Sequence, residues 1–568
     1  MAVAMGQLDP SYLQGIVDMG SNGIRFSISS LQPPTERIMP TLYQHRVGIS
    51  LYDAQYSASG ARQPIPEETI SAVISLFLQF KRTCEDFDVP RSQIVVLATE
   101  ATRTAHNSEA FRKQIKDQVG WDVMMLPKEE EGRVGAMGIA SSLPNVSGLV
   151  MDLGGGSTQL SWIIKSEGSE EVHMPASGAI SLPYGAAAMS RRLAEAEKNG
   201  STGKLRQEVQ LAVEEAYETL KVPQDLQDAA QRAGGFTLYL SGGGFRGWGY
   251  VLMSRHRVQP YPIPVINGFK ASRKEFLGTE DVKMAAAASL EEENDEIFRV
   301  SERRAGQVPA VAFLVNALAE ALPQIKEVRF CQGGVREGYL FTKLPSIIRA
   351  QHPLVVATEP FDSPTSSKAI ADLLQSAFPP VSSAGAHDDY KNTFTPAILD
   401  AFANLIYYHS SHSKDLQATA AVRCTISGIL AGVHGVLHEN RTLLALLLCN
   451  RWGGEVPPSD EAFRGNLEQL IETPWTLWWI NYIGAVAGLV AAVYPAGIKE
   501  NNKGRLALMA QWSRTDKDKS LLVLQIRLAG LDAQAYSSEI RAIEKVGKKK
   551  RWIGGKDGVG HKVDVNII

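Results

Sequence analysis

Apolar and polar positions along the first third of the chain switch repeatedly between two periods. Residues 15–29 read as a buried strand, a Gly/Ser/Asn turn and a second strand. Residues 67–87, following Pro66, carry apolar positions at helical spacing, and 93–98 form a short apolar run of strand length. Residues 128–142 predict another helix, 148–164 a second strand–turn–strand hairpin, and 184–220 a long helical region. A strand at 236–240 then runs into a glycine turn at 241–247. A helix at 310–322 leads to a strand at 327–331 and a second glycine turn ending at Gly338. Strands that alternate with helices in this way predict an α/β domain.

The second half has a different texture. Gly, Ser and Pro crowd residues 358–367 and 379–385, which read as linkers, and the acidic stretch 291–296 reads as a solvated face. Residues 390–492 are apolar and helical. Within them, 475–493 are uncharged and long enough to cross a bilayer, with Thr473 and Pro474 forming a helix start. Asn481, Gly484 and Gly488 interrupt that stretch and its flanks look soluble, so a buried core helix is expected. Two alternating strands, 505–512 and 520–528, are joined by a charged turn at 515–519. A helix at 537–546, a basic run at 548–551 read as a solvated turn, and a closing strand at 562–568 complete a small α/β end piece.

Composition adds exclusions. The chain has 568 residues, 44% apolar and 21% charged, with net charge −3. Three or four domains of about 150 residues are expected. The balance excludes a disordered chain and a polytopic membrane protein, and no global basic field points to direct nucleic-acid binding. Cys84, Cys331, Cys424 and Cys449 are too scattered for a zinc site and suit a reducing compartment. The opening residues lack a basic region followed by an apolar core, so a cytoplasmic location without membrane attachment is expected.

The chemistry concentrates in two hairpins of one design. In the first, Asp18 ends a strand and Gly20, Ser21 and Asn22 form the turn; in the second, Asp152 is followed by Gly154, Gly155, Gly156, Ser157 and Thr158. Glycines let backbone N–H groups approach phosphate oxygens, hydroxyls add donors, and an Asp at each strand end suits Mg²⁺. Facing hairpins of this kind would clamp a phosphate chain and its metal from both sides, with Asp18 and Asp152 as the metal-holding pair. The later glycine turns, including Gly242, Gly243 and Arg246, would add to the nucleotide side, so that a dozen of the 49 glycines mark a phosphate clamp. His409, His412, His434 and His438 include no His-Asp pair and read as core histidines.

Taken in order, these motifs resemble the exopolyphosphatase/guanosine pentaphosphate phosphatase family of the actin/Hsp70/sugar-kinase superfamily. VDMGSNGIRF and MDLGGGSTQL are similar to its two phosphate motifs, and GGVREGYL to its closing motif. The segment around Arg103 resembles one whose arginine contacts phosphate, and KEEEGR resembles the helix that supplies the catalytic glutamate, here Glu131 with Glu130 beside it. The resemblance implies a two-lobed actin-like ATPase (ribonuclease H-like) core, residues 1–168 and 169–345. It also implies an α-helical His-Asp-phosphohydrolase-like domain at 386–500, with the small α/β domain at 501–568. Implied ligands are Mg²⁺ with ATP, polyphosphate or a guanosine polyphosphate.

One position departs from the pattern. The active phosphatases carry glutamate where this chain has Gln159, which removes a negative charge from the metal half-site. With the extended C-terminal region, this resembles the fungal subgroup of ATP-binding regulators of mitochondria-to-nucleus retrograde signalling. Two functions are therefore expected as alternatives. One is a nucleotide-binding regulator with weak or lost hydrolysis and protein partners in a signalling pathway. The other is a working Mg²⁺-dependent exopolyphosphatase or guanosine pentaphosphate phosphohydrolase with Glu131 as general base. A homodimer is compatible with either.

Overall fold

The hairpin design recurs in three dimensions. Strands β1 (Leu13–Gly20), β2 (Gly23–Ser30), β3 (Thr41–Val47), β4 (Ile94–Ala98) and β5 (Val123–Met125) form a sheet of order β3-β2-β1-β4-β5. β1 pairs antiparallel with β2 and parallel with β4. This computed structural model describes residues 8–57, 61–291, 296–362, 366–380, 390–514 and 520–568. The second sheet comprises β6 (Val146–Leu153), β7 (Thr158–Lys165), β8 (Ile180–Leu182), β9 (Phe236–Ser241), β10 (Lys270–Ser272) and β11 (Ile325–Phe330), ordered β10-β11-β9-β6-β7-β8. β6 repeats the role of β1, antiparallel to β7 and parallel to β9. The repetition places Asp18 and Asp152 near the ends of equivalent strands.

Helices cover the sheets and join them. α1 (Glu67–Asp86) and α2 (Ser108–Val119) bury Phe77, Phe80, Phe111 and Ile115 against one face of the first sheet. On the other face, α3 (Lys128–Ser141) shares a core with Ile16 and Leu97 of the first sheet and Val150 and Ile163 of the second. It lies between the lobes. The expected helical region at 184–220 is two helices, α4 (Ala186–Lys198) and α5 (Thr202–Thr219), separated where Gly200 takes φ of 65°.

The glycine turn expected at 241–247 is instead the start of a helix, α6 (Gly242–Ser254), with only Gly242 in a left-handed conformation, φ 90°. Helix α7 (Glu302–Ala321) begins well before residue 310 and carries Pro309 in its interior. Tertiary packing of Val308, Val311 and Leu314 outweighs the lost hydrogen bond. The second glycine turn leads into α8 (Val335–Lys343), so Gly338 is also helical. An added Cβ at Gly338 would lie 1.8 Å from the carbonyl oxygen of Val134 in α3, and one at Gly333 2.0 Å from that of Gly138. Gly338 thus serves the contact between α3 and α8, and Gly333 lets the turn before α8 meet α3.

In the C-terminal region, α9 (Pro396–Leu405), α10 (His438–Arg451) and α11 (Pro474–Val493) share one apolar core with a small sheet. That sheet pairs β12 (Leu506–Arg514) antiparallel with β13 (Ser520–Leu528), and β13 parallel with β14 (Lys562–Ile567), with α12 (Ser537–Val546) against it. The uncharged helix α11 is a core helix: Trp478, Trp479, Ile480 and Tyr482 are buried. Residues 358–367, expected as a linker, are partly anchored, since Glu359–Phe361 form a 3-10 turn and the buried Ser366 donates its hydroxyl to Ile498 at 3.1 Å. Most of the 379–385 linker, the centre of the acidic stretch 291–296 and the turn at 515–519 lie outside the described residues.

The histidines sit in packed surroundings. His438 lies 2.7 Å from the Tyr261 hydroxyl and 2.9 Å from the Val265 carbonyl, and His434 meets the Ser141 hydroxyl at 2.8 Å. His409 is buried beside Tyr408 and His412. Among the described residues, no group of three or more His, Cys, Asp or Glu is arranged to hold a metal.

Candidate functional site

The cleft between the sheets, about 130 Å³, is lined by both hairpin turns. From the first come Asp18, Gly20, Ser21 and Asn22; from the second, Asp152, Gly154, Gly155 and Ser157; Gly242, Gly243 and Arg246 enter from the start of α6. The α6 N-terminus carries free backbone N–H groups and the positive end of the helix dipole. The two turns nearly touch. A Cβ at Gly155 would lie 2.4 Å from Cγ of Asn22, so only glycine lets them approach this closely.

Asp18 is buried and Asp152 half-buried, and the loss of solvation pushes both carboxyls up, Asp152 to about 6. Arg25 opposes the rise in each, while the charge of Asp18 adds to that of Asp152. Arg25 lies 3.6 Å from Asp18. Two neighbouring carboxylates that resist ionising together are what a hard divalent cation relieves, and Mg²⁺ typically uses only one or two protein carboxylates beside waters and phosphate oxygens. The pair therefore fits Mg²⁺ held jointly with a phosphate ligand. Gln159 faces Asp152 across the β6–β7 register and donates from Nε2 to the Ser157 hydroxyl at 2.9 Å.

Glu131, near the start of α3, lines the cleft. Its Oε2 accepts from Arg103 Nη2 at 3.1 Å, and Arg103 Nη1 donates to the Leu126 carbonyl. Arg103 thus orients Glu131, and it does not line the cleft. Burial pushes the Glu131 carboxyl up to about 7 despite Arg103. Its folded-state value lies above the unfolded one near 4.5, so folding favours the protonated form and stability falls as pH rises from about 4.5 to about 7. The slope is about 1.4 kcal/mol per pH unit at most. Urea unfolding at pH 4.5 and 7.5 is expected to show a smaller difference in Glu131→Gln than in wild type.

Three other expected residues stand apart. Glu130 points outward and pairs with Arg133 at 2.9 Å. Gly156 faces Glu100, whose Oε2 would lie 2.4 Å from an added Cβ. The Thr158 hydroxyl is buried and donates to the Tyr184 carbonyl at 2.9 Å.

The largest feature missed in the sequence is a group of arginines: Arg25, Arg46, Arg303 and Arg304 line the cleft beside Arg246. Burial, then Arg25 and Arg304, push Arg246 down to about 9. Burial, then Arg46 and Arg25, bring Arg304 to about 10. Hairpin symmetry could have identified Arg25, because a turn closed by Gly20 and Gly23 sets Arg25 opposite Asp18. Arg303 crosses the cleft mouth to Asn22 Oδ1 at 2.9 Å, Ser50 at 3.0 Å and Asp53 at 2.8 Å. No pattern around residues 303 and 304 marks them for this role.

Two similar sheets, each carrying an acidic glycine hairpin, define a two-lobed core around the cleft. The chain belongs to the Ppx/GppA phosphatase family, whose model matches residues 30–347, and it carries an RTG2 C-terminal domain at residues 352–568. It is 41% identical over 502 residues to Retrograde regulation protein 2 of Saccharomyces cerevisiae, covering 86% of this chain and 82% of that protein. Guanosine-5'-triphosphate,3'-diphosphate pyrophosphatase of Photobacterium profundum is 38% identical over 74 residues, 13% of this chain and 15% of its own length. A solved Ppx/GppA enzyme of Aquifex aeolicus aligns at 21% identity with a TM-score of 0.44, over 58% of this chain and 99% of its own. The core is a two-lobed α/β core built on two mixed sheets, followed by a helical region and a small three-stranded sheet.

Proposed function

We propose that the chain is a nucleotide-binding regulator of retrograde signalling that uses the Ppx/GppA cleft as a ligand sensor. The observation that carries this reading is the Asp152 half-site, where Gln159 stands opposite the acid and donates to Ser157. The relatedness to Retrograde regulation protein 2 supports the pathway assignment. The cleft supplies glycine N–H groups, the α6 N-terminus and five arginines that would hold a triphosphate, and Asp18 and Asp152 would hold Mg²⁺. Bound Mg²⁺ would neutralise phosphate charge. The amide of Gln159 adds neither charge nor a basic site, so ligand binding outlasts efficient turnover.

A second reading has its own support. Glu131 lines the cleft with its carboxyl raised to about 7, suited to accepting a proton from water near neutral pH. Residual release of terminal phosphate would then rise with pH through about 7 as Glu131 ionises.

Calorimetric titration with ATP and Mg²⁺, alongside phosphate release from ATP and long-chain polyphosphate, separates the two. The regulator reading expects saturable ATP binding with release rates equal in wild type and Glu131→Ala. No ATP binding by the intact protein would sink it. A rate that depends on Glu131 would establish the hydrolase.

A further inference from the structure

The two lobes meet in different ways at the back and at the mouth of the cleft. At the back, Ile16 and Leu97 of the first sheet share an apolar core with Val150 and Ile163 of the second, around α3. At the mouth, the 3-10 turn Asp53–Gln55, which follows β3 of the first lobe, reaches α4 and α7 of the second. Here the Asp53 carboxylate meets two guanidinium groups. Its Oδ2 accepts from Arg303 Nη2 at 2.8 Å, and its Oδ1 lies 3.7 Å from Arg191. Arg191 also lies over the Tyr56 ring, 4.1 Å from its centroid, and 5.8 Å from that of Tyr52. A guanidinium that stacks on a ring while facing a carboxylate is attracted by both.

Asp53 is fixed to its own lobe. The Ser50 hydroxyl donates to the Ser21 carbonyl at 3.3 Å and accepts from the Asp53 N–H at 3.1 Å, and the Tyr52 N–H donates to the same carbonyl at 3.0 Å. Gln55 is buried, and its Nε2 donates to the carbonyls of Leu51 and Ala101, each at 2.8 Å. Ala101 lies in the one-turn helix Glu100–Arg103, whose last residue orients Glu131. On the other side, α4 and α7 pack against each other and carry Arg191 and Arg303 together. All three charged side chains are partly exposed. Ion pairs in contact with water are individually weak, which suits a contact that must release.

We propose that Asp53 is the catch of a latch between the lobes. Paired with Arg191 and Arg303 it holds the mouth shut, and its release lets the lobes swing about the α3 core and opens the cleft. Opening carries the Asp53 turn away from α4 and α7 in one piece with Ser21 and Arg103, so access to the cleft and the setting of Arg103 against Glu131 change together. The latch acts on the lobes whatever ligand the cleft takes, and whether or not that ligand is hydrolysed.

Double electron–electron resonance on the full chain reads the separation of the lobes without any ligand. Nitroxides at Ser71→Cys on α1 and Glu214→Cys on α5, both exposed, mark one lobe each, because the four native cysteines are buried. With the latch intact, one distance is expected to dominate. Asp53→Ala and Asp53→Arg are each expected to enlarge a second, displaced population at least tenfold. Adding Arg191→Asp to Asp53→Arg exchanges the charges of one pair and is expected to restore the single distance, which damage to folding would not do. A distribution unchanged by both Asp53 variants overturns the latch, as does a chain that populates both distances equally with Asp53 in place, or an exchanged pair that restores nothing. If the distances respond as expected and ATP calorimetry shows no binding, the nucleotide reading falls and the latch stands.

Discussion

Gly155→Asp is expected to reduce ATP binding at the cleft by more than 100-fold, or about 2.7 kcal/mol. Two effects act together. The new Cβ would lie 2.4–2.6 Å from three side-chain atoms of Asn22, so the two hairpin turns must separate. A carboxylate would then stand where phosphate oxygens belong, beside Asp18 and Asp152, which already resist ionising together. Gly155→Ala separates these effects, because it keeps the steric clash and omits the charge. If the approach of the turns is what builds the site, Gly155→Ala loses most of the affinity as well. Gly203→Asp, at a helical position whose Cβ would meet nothing within 4 Å, controls for net charge and is expected to bind normally. ATP calorimetry on the three variants decides the matter, and wild-type affinity in Gly155→Ala would show that the turns part freely.

Much of this arrangement was legible in the sequence for an identifiable reason. A strand that ends in Asp and turns on glycine and hydroxyl residues has few uses, and two copies in one chain imply two facing copies in space. Asp18, Asp152 and Gly155 were found this way and Glu131 through the family resemblance of KEEEGR, and the structure brings all four to one cleft. The arginines were less legible. Arg303 and Arg304 reach the cleft from the start of α7, more than 140 residues beyond the Asp152 hairpin, and neither has a local pattern. Long-range convergence leaves no periodicity to read.

The glycine motifs show a second limit. Glycine marks close approach, but the sequence does not say what approaches. At Gly155 it is another turn across the cleft, at Gly242 it is the carboxylate of Asp152, and at Gly338 it is a helix backbone. Gln159 was legible as a departure, whereas its pairing with Ser157 was not, since only the hairpin geometry brings the two side chains within 2.9 Å.

The clearest consequence of that ambiguity is a contrast between two helical glycines. Gly338→Ala is expected to cost about 3 kcal/mol or more, at the upper end of overpacking penalties. Its Cβ would sit 1.8 Å from the Val134 carbonyl oxygen and 2.7 Å from the Gly138 nitrogen, both backbone atoms of α3. No rotamer change relieves such a contact, so α3 and α8 must move apart, and Glu131 moves with α3. Gly247 lies in the interior of α6, and its Cβ would meet only the flexible side chain of Arg304, at 3.7 Å. There the same substitution removes a poor helix former without a clash and is expected to stabilise by about 0.5–1 kcal/mol. Urea unfolding of Gly338→Ala and Gly247→Ala against wild type should therefore give shifts of opposite sign. Equal shifts would mean that the α3–α8 contact is loose in solution, and that the lobes are not held at the distance on which the cleft geometry depends.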